Sequence, residues 1–293
     1  MDTLVLENAE WRVEVLPECG GKLRRLLSKA SGREWLWSNP VLPVRPAVYG
    51  ESYIEQLDSG GWDEIFPSVS PGVVAGLEIP DHGDLVALPC TWEQPDEQTL
   101  LLRTAGRCAP FVFMRTLRLD GPTLRFSYQL ENRGETAFPF LWCAHPLFAL
   151  GPGMTIELPE WTALQVRSAS DPERANPSHL FTVPDSAAPD FKPLAVKAFT
   201  EAGAVSSVRL TDPSGSERLT MAWDVAQVPY LGLWINYGAW SGCGSAPYFN
   251  LALEPTTAPY DALADALEAG CAKKIEPSET VCWELVVRVT GDD

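Results

Sequence analysis

The sequence predicts an all-β protein, a large antiparallel sandwich of two stacked sheets with one short helix near its C-terminus. Three features carry this prediction: short runs with apolar residues at alternate positions, turn residues between those runs, and a single stretch with helical apolar spacing. TLVLEN and WRVEVL open the chain with the alternation that half-buried strands require. FVFMRTLRL (111–119) and TLRFSYQLEN (123–132) flank Asp120-Gly121-Pro122, which predicts an antiparallel hairpin. VRLTDPSGSERLTMAW (208–223) repeats that design around Asp212-Pro213-Ser214-Gly215. LGLWIN (231–236), YFNLALE (248–254) and VCWELVVRV (281–289) supply further strands.

PYDALADALEAG (259–270) predicts the helix. Ala262, Leu263, Ala266 and Leu267 form an apolar stripe, Pro259 suits a first turn and Gly270 suits a left-handed cap. The Pro-, Ser- and Asp-rich stretch from Leu158 to Ala198 predicts long loops on the sandwich rather than a linker, because strands resume beyond it. There is no internal repeat, and 293 residues suit a single β-sandwich domain spanning 1–293.

Charge narrows the choice of partners. Thirty-nine acidic residues outnumber 22 basic ones, for a net charge of −17. A nucleic-acid backbone or an anionic membrane surface needs clustered Lys and Arg, and no basic run is present. No apolar stretch is long enough to span a bilayer. A neutral small molecule fits this balance. The seven cysteines are scattered, without C-x-x-C or zinc spacing, which predicts free thiols and no metal. MDTLVLENAEWRVEVL lacks the features of a signal peptide, so the expected location is the cytoplasm.

The three histidines and a few carboxylates are the candidates for chemistry. His145 lies in the apolar run FPFLWCAHPLF (138–148). It is either a core histidine with one partner or an acid–base group at the edge of a cleft. Glu254 follows Leu251-Ala252-Leu253 and precedes Pro255. It is either an exposed strand end or a buried carboxylate whose surroundings would make it a better base. His82 sits in IPDHGDL (79–85), which alone reads as a polar turn, and His179 in NPSHLF reads as surface. GGWDEIFP (60–67) combines aromatic and acidic residues, a mixture suited to a sugar site or to an ordinary structured loop. G-x-G-x-x-G, phosphate-loop and G-x-S-x-G motifs are absent, and Gly242-Cys243-Gly244 reads as a flexible loop.

Taken in order, these segments resemble the galactose mutarotase-like superfamily, in particular bacterial aldose 1-epimerase-like proteins. The resemblance runs from CGGKLRRLLSKASGREWLW (19–37) to the final strand. It passes through GGWDEIFPS (60–68), DHGD (81–84), CAHPLF (143–148) and YLGLWINYG (230–238), and is strongest over LALEPTTAPYDALADALEAG (251–270). It implies that His145 is the acid and Glu254 the base of anomer interconversion, and that His82 contacts the sugar and polarises its ring oxygen. No metal or organic cofactor is implied.

The sequence departs from the family pattern at the sugar anchors. The Asn-Arg pair that holds hydroxyls in galactose mutarotases has no clear counterpart, Arg45 being a weak candidate, and the later aspartate is also missing. Asp63 and Glu64 are the expected substitutes for polar recognition. The Arg-Gly-Gly phosphate contact of hexose-phosphate epimerases is absent, so an unphosphorylated aldose is expected, bound by a monomer or homodimer. Three other readings remain open: a non-catalytic carbohydrate-binding or sensing protein of the same fold, a hexose-phosphate epimerase, and glycosidic-bond chemistry. The last requires a second carboxylate facing Glu254.

Overall fold

A computed structural model describes residues 1–175, 180–244 and 246–291. Two antiparallel sheets dominate it. The first has ten strands among the described residues. From the edge inward it runs Leu4–Glu7, Trp11–Leu16, Lys22–Ser28 (with Arg33–Glu34 beside it), Trp62–Ile65 and Cys143–Ala149. It continues through Phe249–Thr256, Tyr230–Tyr237 and Leu194–Thr200 to Leu164–Ala169. The second sheet has nine strands, with Thr280–Gly291 and Thr123–Asn132 at its centre.

The alternation seen in the sequence is what builds the second sheet. In Thr280–Gly291, Trp283, Leu285, Val287 and Val289 are buried while Glu284 and Arg288 face out. Both expected hairpins form. Asp120 pairs with Thr123 across Gly121, whose φ of +51° suits the turn. Thr211 pairs with Arg218 beyond the 212–215 turn, where Gly215 takes φ +77°. Side chains from the two sheets interlock between them: Trp62 stacks on Phe126 at 4.6 Å, and Trp142 meets Trp283 at 5.0 Å. Burial of each such large apolar group contributes about 1.5–3 kcal/mol. One apolar cluster extends from Leu4 to Val289.

Two elements differ from expectation. The helix covers only Leu263–Glu268, and Gly270 does adopt the left-handed φ of +69°. Residues 259–262 stay outside the helix, where the Asp261 carbonyl accepts the Val69 and Ser70 amides at 3.0 and 2.8 Å and ties the chain to a neighbouring loop. Pro259 therefore precedes the helix instead of opening it. The 158–198 stretch is also more ordered than loops alone. It contains the strands Leu164–Ala169 and Leu180–Thr182, and Leu194–Thr200 begins within it. His179 lies outside the described residues. No described helix is long and apolar enough to cross a membrane.

The central strands of the first sheet break the simple alternation. Seven of the eight residues of Phe249–Thr256 are buried, and all four of Trp62–Ile65. One face of these strands packs on the second sheet. Loops around Tyr53, His82, Trp240 and Asp261 cover the other, and that covered outer face holds the candidate site.

Candidate active site

Sheet register aligns the chemistry. Cys143 pairs with Thr256 and Leu147 with Ala252, which sets His145 opposite Glu254 on the same face. His145 in turn pairs with Asp63, and Glu254 with Gly232, which pairs with Phe199. The outer face thus carries a row across five strands: Asp63, His145, Glu254, Gly232, Phe199. Successive strand residues point to opposite faces. Glu64 therefore projects between the sheets while its neighbour Asp63 joins the row.

A cavity of about 280 Å³ opens above this row, close to the lower end of the range for small-molecule pockets. His145 Nε2 lies 3.6 Å from Glu254 Oε1, and that oxygen is buried with no hydrogen-bond partner. Glu254 Oε2 is engaged by the Lys197 ammonium at 2.5 Å, and Lys197 also contacts Asp261 at 3.1 Å. Trp234 and Trp240, edge to face with centroids 5.5 Å apart, line the wall and offer aromatic surface to a sugar ring.

The DHGD turn delivers His82. His82 and Gly83 take consecutive left-handed conformations, φ +60° and +74°. Gly83 passes so close to the Phe66 carbonyl that a Cβ there would overlap it. His82 is then fixed from two sides. Its Nδ1 hydrogen-bonds Asp81 Oδ1 at 2.7 Å, and its ring stacks on Tyr53 at 4.0 Å. The other Asp81 oxygen accepts the Tyr53 amide at 2.8 Å, so one carboxylate orients both rings. Ring centroids of His82 and His145 are 6.0 Å apart.

Burial and charge set the protonation states. Burial, then the positive charges of His82, Lys197 and Lys22, push His145 well below its ordinary 6.5. Burial raises Glu254 above the ordinary 4.5 of a glutamate, and the Lys197 ammonium offsets part of that rise. Burial also works against the charged form of Lys197, but Asp261 and Glu254 outweigh it and hold Lys197 above its ordinary 10.5. Asp58, 6% exposed on the cavity wall, is pushed up to about 6 by burial, against the pull of Lys22. Among the described residues no Lys or Arg comes within ion-pair distance of it.

The sequence-derived candidates do not all converge. His145, Glu254 and His82 line the cavity together; Asp63, Glu64 and Arg45 do not. Asp63 lies just beneath it, where Oδ2 accepts Lys22 Nζ at 2.5 Å and the Tyr53 hydroxyl at 2.6 Å. Its place is to brace Tyr53, and through Tyr53 the His82 ring. Glu64 is sealed in the core, accepting from Arg115 at 2.9 Å and from Tyr128 and Trp142 at 3.0 Å each. Arg45 pairs with Glu51 at 2.8 Å near the surface. In their place the cavity gains Lys197, Asp261, Asp58, Asp81 and the two tryptophans. Lys197 had one visible signal, a charge set within the apolar run of LAVKAFT.

Neither a protein-family model nor a curated relative matches the chain. Solved structures do, over nearly its whole length. A galactose mutarotase related enzyme from Lactobacillus acidophilus superposes with a TM-score of 0.73 at 14% identity, covering 99% of this chain and 98% of that one. A galactose mutarotase-like protein from Lactobacillus casei gives 0.69 at 16%, covering 99% and 100%. An aldose epimerase homologue from C. elegans gives 0.63 at 11%, covering 100% and 99%. The chain has the galactose mutarotase-like fold.

Proposed function

We propose that this protein is an aldose 1-epimerase that interconverts the α and β anomers of an unphosphorylated aldose. One observation carries the reading. A buried carboxylate oxygen without a partner, Glu254 Oε1, faces His145 Nε2 across 3.6 Å in a cavity of about 280 Å³. Opening a cyclic hemiacetal needs one group to take the proton from the C1 hydroxyl and another to protonate the ring oxygen. Glu254 takes the first and protonated His145 gives the second, while His82, steadied by Asp81, donates to the ring oxygen. The free aldehyde turns about C1–C2, and closure with the proton roles exchanged yields the other anomer. Positioned acids and bases each contribute about 10²–10⁴-fold, enough for a reaction with a modest barrier. With carboxylates predominating on the wall and Lys197 already committed to two of them, the cavity suits a neutral sugar better than a phosphorylated one.

NMR saturation transfer between the anomers of common hexoses and pentoses tests the activity directly. Exchange above the buffer rate is expected for at least one. Sugar binding without exchange would make the protein a binding or sensing module instead.

The protonation states predict the pH dependence. The working form has a proton on His145 and none on Glu254, although His145 sits below 6.5 and Glu254 above 4.5. Lowering the pH removes the base and raising it removes the acid, so kcat/KM follows a bell whose limbs belong to the pair. Its maximum is expected on the acid side of 6.5. A flat profile between about pH 6 and 8 would exclude His145 as the acid.

Asp58 is assigned to bind a sugar hydroxyl. Losing a hydrogen bond to a charged acceptor costs about 1.5–3 kcal/mol, so Asp58→Asn should raise KM by about 10–100-fold with a smaller change in kcat. Its thermal midpoint should not fall, because a buried unpaired carboxylate is itself unfavourable. An unchanged KM would remove Asp58 from sugar recognition.

A further inference from the structure

We propose that Lys197 is a positioning residue for the catalytic pair, clamping Glu254 Oε2 so that Oε1 alone is presented to His145 and to the sugar. This inference rests on the epimerase reading above. Three independent features of the geometry support it.

The first is the division of labour on one carboxylate. Oε2 is bound by Lys197 at 2.5 Å and approached by the Cys143 thiol at 3.9 Å, whereas Oε1 has no hydrogen-bond partner. A carboxylate free to rotate would spread its basicity over both oxygens. Here the ammonium fixes which one works.

The second feature is a gap built for the contact. Lys197 and Glu254 stand on strands separated by Tyr230–Tyr237; Gly232 lies between Glu254 and Phe199 in the cross-strand row, and Lys197, two residues before Phe199, pairs with Trp234. A Cβ at Gly232 would come within 2.8 Å of Glu254 Oε2 and 3.0 Å of the Phe199 ring. Gly232 does not need a left-handed backbone, so space is the reason for glycine here. The missing side chain leaves Oε2 its place, and the lysine reaches it diagonally from two strands away, with its ammonium 5.1 Å from the Phe199 centroid.

The third feature is the counter-clamp. Lys197 is 8% exposed, and Asp261 is a second carboxylate partner for its ammonium at 3.1 Å. The non-helical 259–262 segment described above carries Asp261, whose carbonyl is tied to Val69 and Ser70. A buried ion pair is a poor source of stability, since desolvation consumes most of its attraction. Its worth lies in the fixed geometry. The other charged or titratable groups acting on the pair are His82, Lys22 and the Cys143 thiol, and Lys197 alone of them touches Glu254 Oε2 with a full charge.

The test compares wild type, Lys197→Met, Lys197→Arg, Gly232→Ala, Glu254→Gln and the Lys197→Met/Glu254→Gln double variant. Each is assayed for anomer exchange across pH, sugar affinity and thermal unfolding. Displacing a reacting group by an ångström costs about 100-fold, so Lys197→Met should lower kcat by about 10–100-fold while sugar binding persists. Its kcat/KM bell should move to higher pH, because Glu254 loses the charge that lowers its proton affinity. Lys197→Arg should keep the wild-type optimum. Gly232→Ala retains every charge yet should lower kcat by pushing on Oε2, which guards against a Lys197→Met variant that fails to fold. In the double variant the loss should match Glu254→Gln alone, because the lysine acts through that carboxylate. Wild-type kcat and optimum in Lys197→Met, or losses that multiply in the double variant, would overturn the inference and leave the epimerase reading standing. A wild-type protein without exchange on any aldose would overturn both.

Discussion

Glu254→Gln is expected to slow anomer exchange by about 10²–10⁴-fold with little change in KM, the loss typical of removing a positioned base. The amide has nearly the shape of the carboxylate, so the cavity should survive. Its orientation is dictated by the neighbours. Lys197, which donates at 2.5 Å, selects the amide oxygen and turns the NH₂ toward His145. The position of Oε1 then carries a donor with no basic lone pair. Ring opening would have to rely on water as base. His145→Asn should behave similarly, whereas His82→Asn should affect both kcat and KM, because in the proposed mechanism that ring contacts the sugar throughout the cycle. Saturation transfer at several sugar concentrations separates the two parameters. A Glu254→Gln rate within about twofold of wild type would remove Glu254 as the base.

The second large effect is expected on stability, at a residue remote from the chemistry. Arg115 and Glu64 form an ion pair with side chains only 3% and 2% exposed, and Arg115 also donates to the Gly21 carbonyl. Arg115→Met leaves the carboxylate buried with only Tyr128 and Trp142 as donors. Breaking one side of such a pair costs about 3–5 kcal/mol. The loss should depend on pH in a definite direction. Burial already raises Glu64 above 4.5 against the pull of Arg115, and removing Arg115 raises it further. The folded variant then holds a proton to higher pH than the unfolded chain does. Its stability relative to wild type therefore falls as pH rises from the wild-type Glu64 value, itself above 4.5, through the variant's higher value, and levels off above it. Denaturant unfolding at several pH values measures this. Combining Arg115→Met with Glu64→Gln should recover part of the loss. Equal destabilisation across the acid range would mean that Glu64 is not the cause.

Much of this organisation was legible along the chain. Alternation and turn residues placed both hairpins, whose strands each turn one face to the core and one to solvent. Trp62-Asp63-Glu64-Ile65 was different, because all four residues are buried and apolar pattern then says nothing about direction. Asp63 and Glu64 looked equivalent in sequence, yet they project from opposite faces of one strand. One braces Tyr53 beneath the cavity; the other neutralises an arginine in the core. The helix was overextended for a related reason. Local spacing favoured helix from Pro259, but residues 259–262 stay outside the helix, where the Asp261 carbonyl accepts the Val69 and Ser70 amides.

The sequence by itself determined the class of fold and named the acid–base candidates. Strand periodicity and turn chemistry are local, and the contexts of His145 and Glu254 are short contiguous motifs. Only the tertiary structure decided how these groups are held. Lys197, Asp261, Asp58 and Gly232 come from separate strands and loops, and sheet register brings them to one cavity. Their burial and mutual distances, which set proton affinity and orientation, exist only once the sheet has formed.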